Sequence, residues 1–257
     1  MAGNLVHYER RTGVARLTLD SPHNRNALSV QLMSELEAGL RAALDDAAVR
    51  AILLTHSGRV FCSGADLKQT SASAGDLPVA TLQEILTTIG TSPKPVVARV
   101  AGPARAGGLG LIGAADIVIA AESASFAFSE VRRGLVPAVI SRVVLPRMLP
   151  RQALELFLTG ETFDAHRAVA AGLINHAVSD DELDTETNRY LDMLVAGGPN
   201  ALAGTKALLE RPRSEDIRAD LDDLFHLSAR YFMSDEGREG ITAFLEKRET
   251  SWVEEAQ

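Results

Sequence analysis

The stretch VVARVAGPARAGGLGLIGAAD, from Val96 to Asp116, combines a strand pattern, a glycine loop and a helix pattern. Pro95 and the pair Gly102-Pro103 bound the first apolar run, which predicts a short buried strand. The apolar run after Gly107 and Gly108 predicts a helix that opens directly from these glycines. A helix start leaves backbone N–H groups unpaired and partly positive, and glycine lets a ligand approach them. Two interpretations follow: a site for a negatively polarised oxygen, or a tight helix–sheet contact that needs small residues.

A dinucleotide-binding loop is a third interpretation of these glycines, because Gly108, Gly110 and Gly113 satisfy the pattern G-x-G-x-x-G. That fingerprint needs its glycines almost immediately after the strand, whereas residues 102–106 intervene here. Glu122, at the end of the next apolar run, also comes too early to bind a ribose hydroxyl. The spacing therefore disfavours a dinucleotide site.

Composition excludes several classes of protein. The chain has 257 residues, is 46% hydrophobic, and carries 34 acidic against 26 basic residues for a formal net charge of −8. This acidity disfavours nucleic-acid binding, and we find no apolar run long enough to span a membrane. The single cysteine excludes an internal disulfide and fits a reducing compartment. We expect a soluble cytoplasmic protein.

Patterning along the chain predicts an α/β fold. A hairpin is expected over residues 6–19, and alternating strand and helix patterns over residues 50–135 indicate βαβ units with a largely parallel core. After residue 137 the chain is mostly helical. We therefore expect an α/β core at residues 1–195 and a helical region at 196–257. Apolar side chains of the second region predict contact with a partner subunit: Leu221, Leu224, Phe225, Leu227 and Phe232.

Glu130 is the strongest candidate for proton transfer. A predicted strand ends at this residue, and its period of two places Glu130 on the same face as Phe126 and Phe128. A carboxyl group beside aromatic rings loses hydration, which raises its pKa into a range useful for acid–base catalysis. The alternative is a glutamate at a strand end that pairs with Arg132 or Arg133 in solvent.

Other reactive side chains carry weaker signals. Cys62 has no basic neighbour in the sequence, so we expect a small core residue rather than a nucleophile. The six histidines show no spacing typical of metal ligands, and we predict no metal site. No G-x-S-x-G nucleophile elbow or Walker motif occurs.

Four segments in register resemble the crotonase, or enoyl-CoA hydratase/isomerase, superfamily. The likeness covers nearly the whole chain, from the loop at Pro22–Leu28 to Arg248. Within it, Ser129–Ser141 is most similar to bacterial hydratases of the methylglutaconyl-CoA type. The four segments are Phe61–Leu67, Gly102–Gly108, Phe128–Glu130 and Glu239–Arg248.

The resemblance implies a crotonase-like spiral of ββα units whose C-terminal helices build homo-trimers, often paired as hexamers. It implies an acyl-CoA thioester as substrate, with coenzyme A as part of that substrate and no separate cofactor. The carbonyl oxygen would be held by the N–H groups of Ser63 and Gly107, with Glu130 as acid/base. The residues implied to line or reach the CoA, some of them from a neighbouring subunit, are Arg25, Ser63, Gly64, Ala65, Asp66, Leu67, Phe244 and Lys247.

One departure from the family pattern bears on the reaction. Hydratases of this family typically carry two glutamates, and the position of the first is Gly110 here. A single carboxylate suits double-bond migration, in which one base removes and returns a proton, whereas two suit hydration. Three hypotheses remain: a hydratase that works with Glu130 alone, a Δ3-Δ2 enoyl-CoA isomerase, and a non-catalytic acyl-CoA-binding protein. The Ser129–Ser141 likeness favours the hydratase.

Overall fold

The computed structural model describes residues 3–66, 79–212 and 215–254. Its strands are β1 (Val6–Arg11), β2 (Val14–Leu19), β3 (Ala51–His56), β4 (Val96–Val100), β5 (Ala104–Arg105), β6 (Ile117–Ala121), β7 (Ser125–Ala127), β8 (Phe163–Asp164) and β9 (His176–Val178). Its helices are α1 (Val30–Asp45), α2 (Val79–Thr91), α3 (Gly107–Ala114), α4 (Ala138–Val144), α5 (Pro150–Thr159), α6 (Ala165–Ala170), α7 (Leu183–Ala196), α8 (Pro199–Glu210), α9 (Ile217–Met233), α10 (Asp235–Glu246) and α11 (Ser251–Glu254).

A six-stranded sheet in the order β1-β2-β3-β4-β6-β9 forms the centre of the fold. The predicted hairpin β1–β2 is antiparallel and every later pair is parallel, which confirms the parallel core. Side chains alternate between two apolar clusters along each central strand. In β3, Ile52 and Leu54 belong to the cluster that includes α1, α2 and α3, while Ala51 and Leu53 belong to the cluster that includes α7. Helices therefore cover both faces of the sheet.

A small second sheet, in the order β5-β7-β8, brings distant loops together. β5 pairs in parallel with β7, and an isolated parallel bridge joins Cys62 to Ala104 at the start of β5. A second bridge joins Leu28 to Ala65. Five segments from five parts of the chain thus lie side by side. These pairings place the loop after β3, the start of α3 and the segment after β7 in one region.

Helix α3 begins at Gly107 as predicted and is buried along its whole length. A Cβ on Gly110 would lie 2.7 Å from Cγ2 of Ile140, and one on Gly113 would lie 2.7 Å from Cγ2 of Val144. Both neighbours belong to α4, so these two glycines allow close packing of two helices. This contact explains the G-x-G-x-x-G spacing without a dinucleotide.

Two predictions about strands need correction. The strand predicted over 124–130 ends at Ala127, because the chain turns into a 3₁₀ segment at Ser129–Arg133. The mostly helical pattern predicted after residue 137 is interrupted by β8, which pairs antiparallel with β7. Leu67 lies outside the described residues, as do residues 71–78, a small polar stretch that the sequence predicts to be a loop.

The C-terminal helices leave many apolar side chains exposed. Helix α10 packs mainly against α9, and α11 packs against α7. Large side chains on α8, α9 and α10 that are at least 66% exposed are Leu209, Ile217, Phe225, Phe232, Met233, Phe244 and Leu245. Among the described residues, no helix combines the length and apolarity needed to cross a membrane.

Candidate active site

Two glycine loops meet in direct backbone contact. Gly64 has a φ of +89°, and a Cβ there would lie 2.8 Å from the Cβ of Ala106 and 3.4 Å from the N of Gly107. Glycine is therefore needed at position 64 both for its backbone conformation and for the close approach. The family resemblance implies that N–H groups of these two loops face one oxygen, and in the structure the loops lie in direct contact.

The start of α3 presents a free N–H group at this contact. Ala106 precedes the helix with φ 48° and ψ −119°, a conformation that non-glycine residues rarely adopt. Its own N–H donates to the carbonyl of Ala127 at 3.3 Å, so the pairing with β7 holds it in place. The N–H of Gly107 has no acceptor among the described residues. Backbone strain of this kind, costing on the order of 1–3 kcal/mol, is typical of functional sites.

The donor on the opposite loop is Ala65 rather than Ser63. The N–H of Ser63 donates to the carbonyl of Arg25 at 3.1 Å, and the N–H of Gly64 bonds to the thiol of Cys62. In the bridge to Leu28, the bonds use the carbonyl of Gly64 and the N–H of Asp66. The N–H of Ala65 is left without an acceptor within the described parts of the chain. The prediction that Ser63 supplies a free donor is therefore wrong.

The physical reason is the left-handed backbone at Gly64. In an extended segment, N–H groups two residues apart point to the same side, but the φ of +89° at Gly64 breaks this alternation, so the N–H of Ser63 faces the Arg25 loop while that of Ala65 does not enter the bridge to Leu28. Sequence alone could not show this, because the pairing of residues 25–28 with 63–66 joins segments far apart in the chain. A glycine-rich loop indicates that a free donor exists without indicating which residue carries it.

Glu130 lies in the 3₁₀ segment that follows β7, not on the strand itself. The preceding Phe128 is fully buried and its ring stacks on that of Phe157 with centroids 4.1 Å apart. Gly134, in the left-handed conformation, closes the turn, and the N–H of Leu135 donates to the carbonyl of Glu130 at 3.1 Å. An aromatic anchor before Glu130 and a glycine turn after it thus hold the residue in place.

The carboxylate of Glu130 has an unsatisfied oxygen. Its Oε2 atom is buried and has no hydrogen-bond partner among the described residues. Burial raises the pKa of Glu130 above the ordinary carboxyl range, an effect that its own backbone N–H and Arg133 partly offset. Arg133 instead donates to the carbonyl and the hydroxyl of Ser129, and Arg132 to the carbonyl of Thr159. The solvent ion pair considered above is therefore not formed, and a buried oxygen without a partner is typical of a reactive group.

An apolar wall occupies the place of the missing first glutamate. A Cβ on Gly110 would lie 2.7 Å from Cγ2 of Ile140 and 3.3 Å from Cδ1 of Leu86, and both side chains are buried. Ile140 is β-branched and stiff, so it cannot easily move aside. The structure thus leaves no room for a second carboxylate at position 110 unless Ile140 shifts.

Cys62 is the small core residue that its sequence context predicted. It is fully buried, and burial raises the pKa of its thiol to about 12. A thiol that stays protonated is a poor nucleophile. Within the described ranges, no three His, Cys, Asp or Glu side chains are grouped as metal ligands would be.

Two free backbone donors, a strained helix start and a half-buried carboxylate with one buried oxygen agree with the comparison to known families. The family model described as enoyl-CoA hydratase/isomerase matches residues 9–255. The chain belongs to the enoyl-CoA hydratase/isomerase, or crotonase, superfamily. This confirms the resemblance that the four sequence segments indicated.

Known members of the superfamily resemble this chain over nearly its full length. A Rhodobacter capsulatus protein named a probable enoyl-CoA hydratase is 37% identical, over 96% of this chain and 97% of its own. The Xenopus laevis enoyl-CoA hydratase domain-containing protein 3, mitochondrial, is 32% identical over 97% of this chain and 86% of its own. A Legionella pneumophila structure described as an enoyl-CoA hydratase/isomerase (crotonase) is 36% identical with a TM-score of 0.90, covering 98% of this chain and 100% of that one. One relative is thus named mitochondrial, and a cytoplasmic location stays a prediction.

The structure places the other residues implied by the crotonase pattern in two regions. Arg25 is exposed beside the Ser63 loop, and Asp66 lies 3.5 Å from the amide of Asn24 at the border of a cleft of about 430 Å³. Phe244, 82% exposed, and Lys247 lie instead at the end of α10. Arg25 and Asp66 therefore lie near Ala65, whereas Phe244 and Lys247 lie at the surface at the end of α10.

Proposed function

We propose that this protein is an enoyl-CoA hydratase-type enzyme that adds water to a 2-enoyl-CoA thioester with Glu130 as its sole acid/base. The observation that carries the proposal is the buried Oε2 of Glu130, which has no partner among the described residues. Glu130 follows β7, and the parallel partner of that strand, β5, leads into the free N–H of Gly107. The names of the relatives support hydration as the reaction.

In the proposed reaction, the thioester carbonyl oxygen accepts hydrogen bonds from the N–H groups of Ala65 and Gly107. As the oxygen of water bonds to C3, the carboxylate of Glu130 takes one proton from that water. Electron density moves through C2 to the carbonyl oxygen, and the two donors stabilise the resulting enolate. Glu130 then returns its proton to C2, which completes addition of one water molecule and restores the carboxylate.

We also propose how the substrate is bound. Arg25 would face the phosphates of coenzyme A despite the acidic net charge, since the guanidinium is exposed beside the donor loop. The backbone of residues 63–67, including Gly64 and Asp66, would line the pantetheine. Phe244 and Lys247 are proposed to reach the CoA of a neighbouring subunit, which agrees with their exposure on one chain.

A second candidate reaction is Δ3-Δ2 isomerisation, and the wall of Ile140 and Leu86 supports it. Water bound at this wall would find no hydrogen-bond partner from either side chain, whereas a carbon chain would pack against both. The same carboxylate would remove a proton from C2 of a 3-enoyl thioester and return it to C4. Glu130 is the acid/base in both reactions, so the substrates distinguish them.

The test is a direct assay of the purified protein with a 2-enoyl-CoA and a 3-enoyl-CoA of equal chain length. We expect loss of the 2-enoyl absorbance as water adds, and calorimetric binding of both thioesters. Conversion of only the 3-enoyl thioester would show that the protein is an isomerase and not a hydratase. Binding of both thioesters without conversion would identify a non-catalytic acyl-CoA-binding protein, and no heat at millimolar thioester would contradict the whole proposal.

We propose that the protein assembles as a homo-trimer or hexamer through its C-terminal helices. The exposed apolar side chains on α8, α9 and α10 would be buried between subunits, which is the usual fate of so large an apolar patch. Analytical ultracentrifugation at micromolar concentration should show trimers or larger species, and Phe225→Glu should shift them towards smaller ones. A wild-type protein that sediments only as a monomer would contradict the proposal.

A further inference from the structure

Asn26 has an unusual position that the proposed reaction does not explain. It is fully buried, with 0% of its surface exposed, although asparagine is mostly an exposed residue. Its φ is 52° and that of the preceding Arg25 is 62°, so two consecutive non-glycine residues adopt the left-handed conformation. Such a conformation persists only where the surrounding structure holds it.

The side-chain amide of Asn26 supplies that constraint. Its Oδ1 accepts from the N–H of Ser21 at 2.6 Å, and its Nδ2 donates to the carbonyls of Ser57 at 3.1 Å and Val60 at 2.8 Å. One side chain therefore joins the start of its own loop to two points in the loop after β3. Both amide hydrogens and the amide oxygen form hydrogen bonds, so the orientation of the Asn26 side chain is fixed.

The loop held by Asn26 is the one that orients the Ala65 donor. The carbonyl of Arg25 accepts from the N–H of Ser63 at 3.1 Å. The N–H of Leu28 donates to the carbonyl of Gly64 at 2.8 Å, and the N–H of Asp66 donates to the carbonyl of Leu28 at 3.4 Å. These three bonds fix the peptide groups on both sides of Ala65, so the direction of its N–H depends on where residues 25–28 lie.

We propose that Asn26 is a positioning residue that aims the N–H of Ala65 at the substrate oxygen. It acts through the Arg25–Leu28 segment and touches no substrate. The inference rests on the proposed function, because it assigns the purpose of the Ala65 donor. Misplacing a catalytic group by about 1 Å can cost about 10²-fold in rate, so a small shift of this loop is sufficient.

The test compares Asn26→Gly with Asn175→Ala. Glycine keeps the left-handed backbone without strain, so this variant removes the amide bonds alone. Asn175 is a matched control, since its Oδ1 also accepts a backbone N–H, that of Val118 at 2.8 Å, beside β9. Both variants are measured for melting temperature, kcat and KM. The absorbance shift of a bound chromophoric aryl-enoyl-CoA is also measured, because it reports polarisation of the carbonyl by the two donors.

We expect Asn26→Gly to lose most of the absorbance shift and about 10²-fold in kcat, with KM nearly unchanged. Asn175→Ala should retain both the shift and kcat. An Asn26→Gly variant with the wild-type absorbance shift and kcat would overturn the inference while leaving the proposed function intact. A wild-type protein that binds the thioester without any shift would overturn the proposed function and the inference together.

Asn26→Asp provides a second measurement if the glycine variant fails to fold. A neutral carboxyl group can accept from Ser21 and donate one bond, whereas its carboxylate would face the carbonyls of Ser57 and Val60. The absorbance shift relative to wild type should therefore fall as the pH rises. If the absorbance shift of Asn26→Asp equals that of wild type at every pH, the inference is overturned.

Discussion

Glu130→Gln is expected to lower turnover about 10² to 10⁴-fold while leaving thioester affinity nearly unchanged, because glutamine keeps the shape of the side chain and cannot transfer a proton. The measurement is kcat on the converted thioester, together with calorimetric binding. Glu122→Gln is the matched control, since Glu122 is an exposed glutamate 3.4 Å from His166. Full activity of Glu130→Gln would show that another group carries the proton.

The same substitution should change the pH dependence of stability. Burial raises the pKa of Glu130, so the folded state disfavours its charged form. Below the ordinary carboxyl pKa, the folded and unfolded chains are both protonated at this position and there is no penalty. As the pH rises through the raised pKa, the wild-type protein loses free energy of unfolding. Glu130→Gln should therefore melt at a higher temperature than wild type at pH 7, and the difference should shrink below about pH 4.

Equal melting temperatures at pH 7 would contradict the buried, unpartnered state of Oε2. A difference of opposite sign would show that the carboxylate has a cationic partner in the folded protein. Thermal melts of both proteins across this pH range separate the outcomes, since Glu122→Gln removes only an exposed carboxylate that lies 3.4 Å from His166.

The second large effect is expected at Ala65. Replacing the Gly64–Ala65 amide by an ester, through incorporation of lactic acid at position 65, removes the N–H and weakens the carbonyl of Gly64 as an acceptor for Leu28. Loss of one such donor costs about 10² to 10³-fold in kcat. The N–H of Ala65 has no acceptor among the described residues, so the ester should lower the melting temperature only slightly, through the weaker bond from Leu28.

An ester at position 63 is the matched control. It removes the N–H of Ser63, which is bonded to the carbonyl of Arg25, and should lower the melting temperature with a smaller effect on kcat. If the ester at 63 abolished turnover and the ester at 65 did not, Ser63 would be the donor after all. Rates and melting temperatures of both ester proteins decide between the two residues.

Much of this fold could be predicted from local patterns. The predicted hairpin 6–19 is present, and α1 has a cap at Ser29 and a buried apolar stripe, because caps and periodic apolar residues act within a few turns of the chain. The strand at 124–130 was predicted too long. Its alternating apolar residues are buried, but Phe128 packs into an aromatic cluster with Phe157 and Phe163, and the chain turns there. Period alone cannot distinguish a strand from a buried turn of this kind.

The sequence by itself determined the family, the α/β class and the glycines that let two loops approach, and it indicated Glu130 as the candidate for proton transfer. These properties reside in residue types and short spacings, which a chain displays before it folds. Tertiary structure alone decided that Ala65 rather than Ser63 offers the free donor, that Ile140 fills the place of a second carboxylate, and that Asn26 holds the loop. Each of these depends on contacts between segments far apart in the chain, and the direction of a single N–H or the space beside a single Cα is set by those contacts.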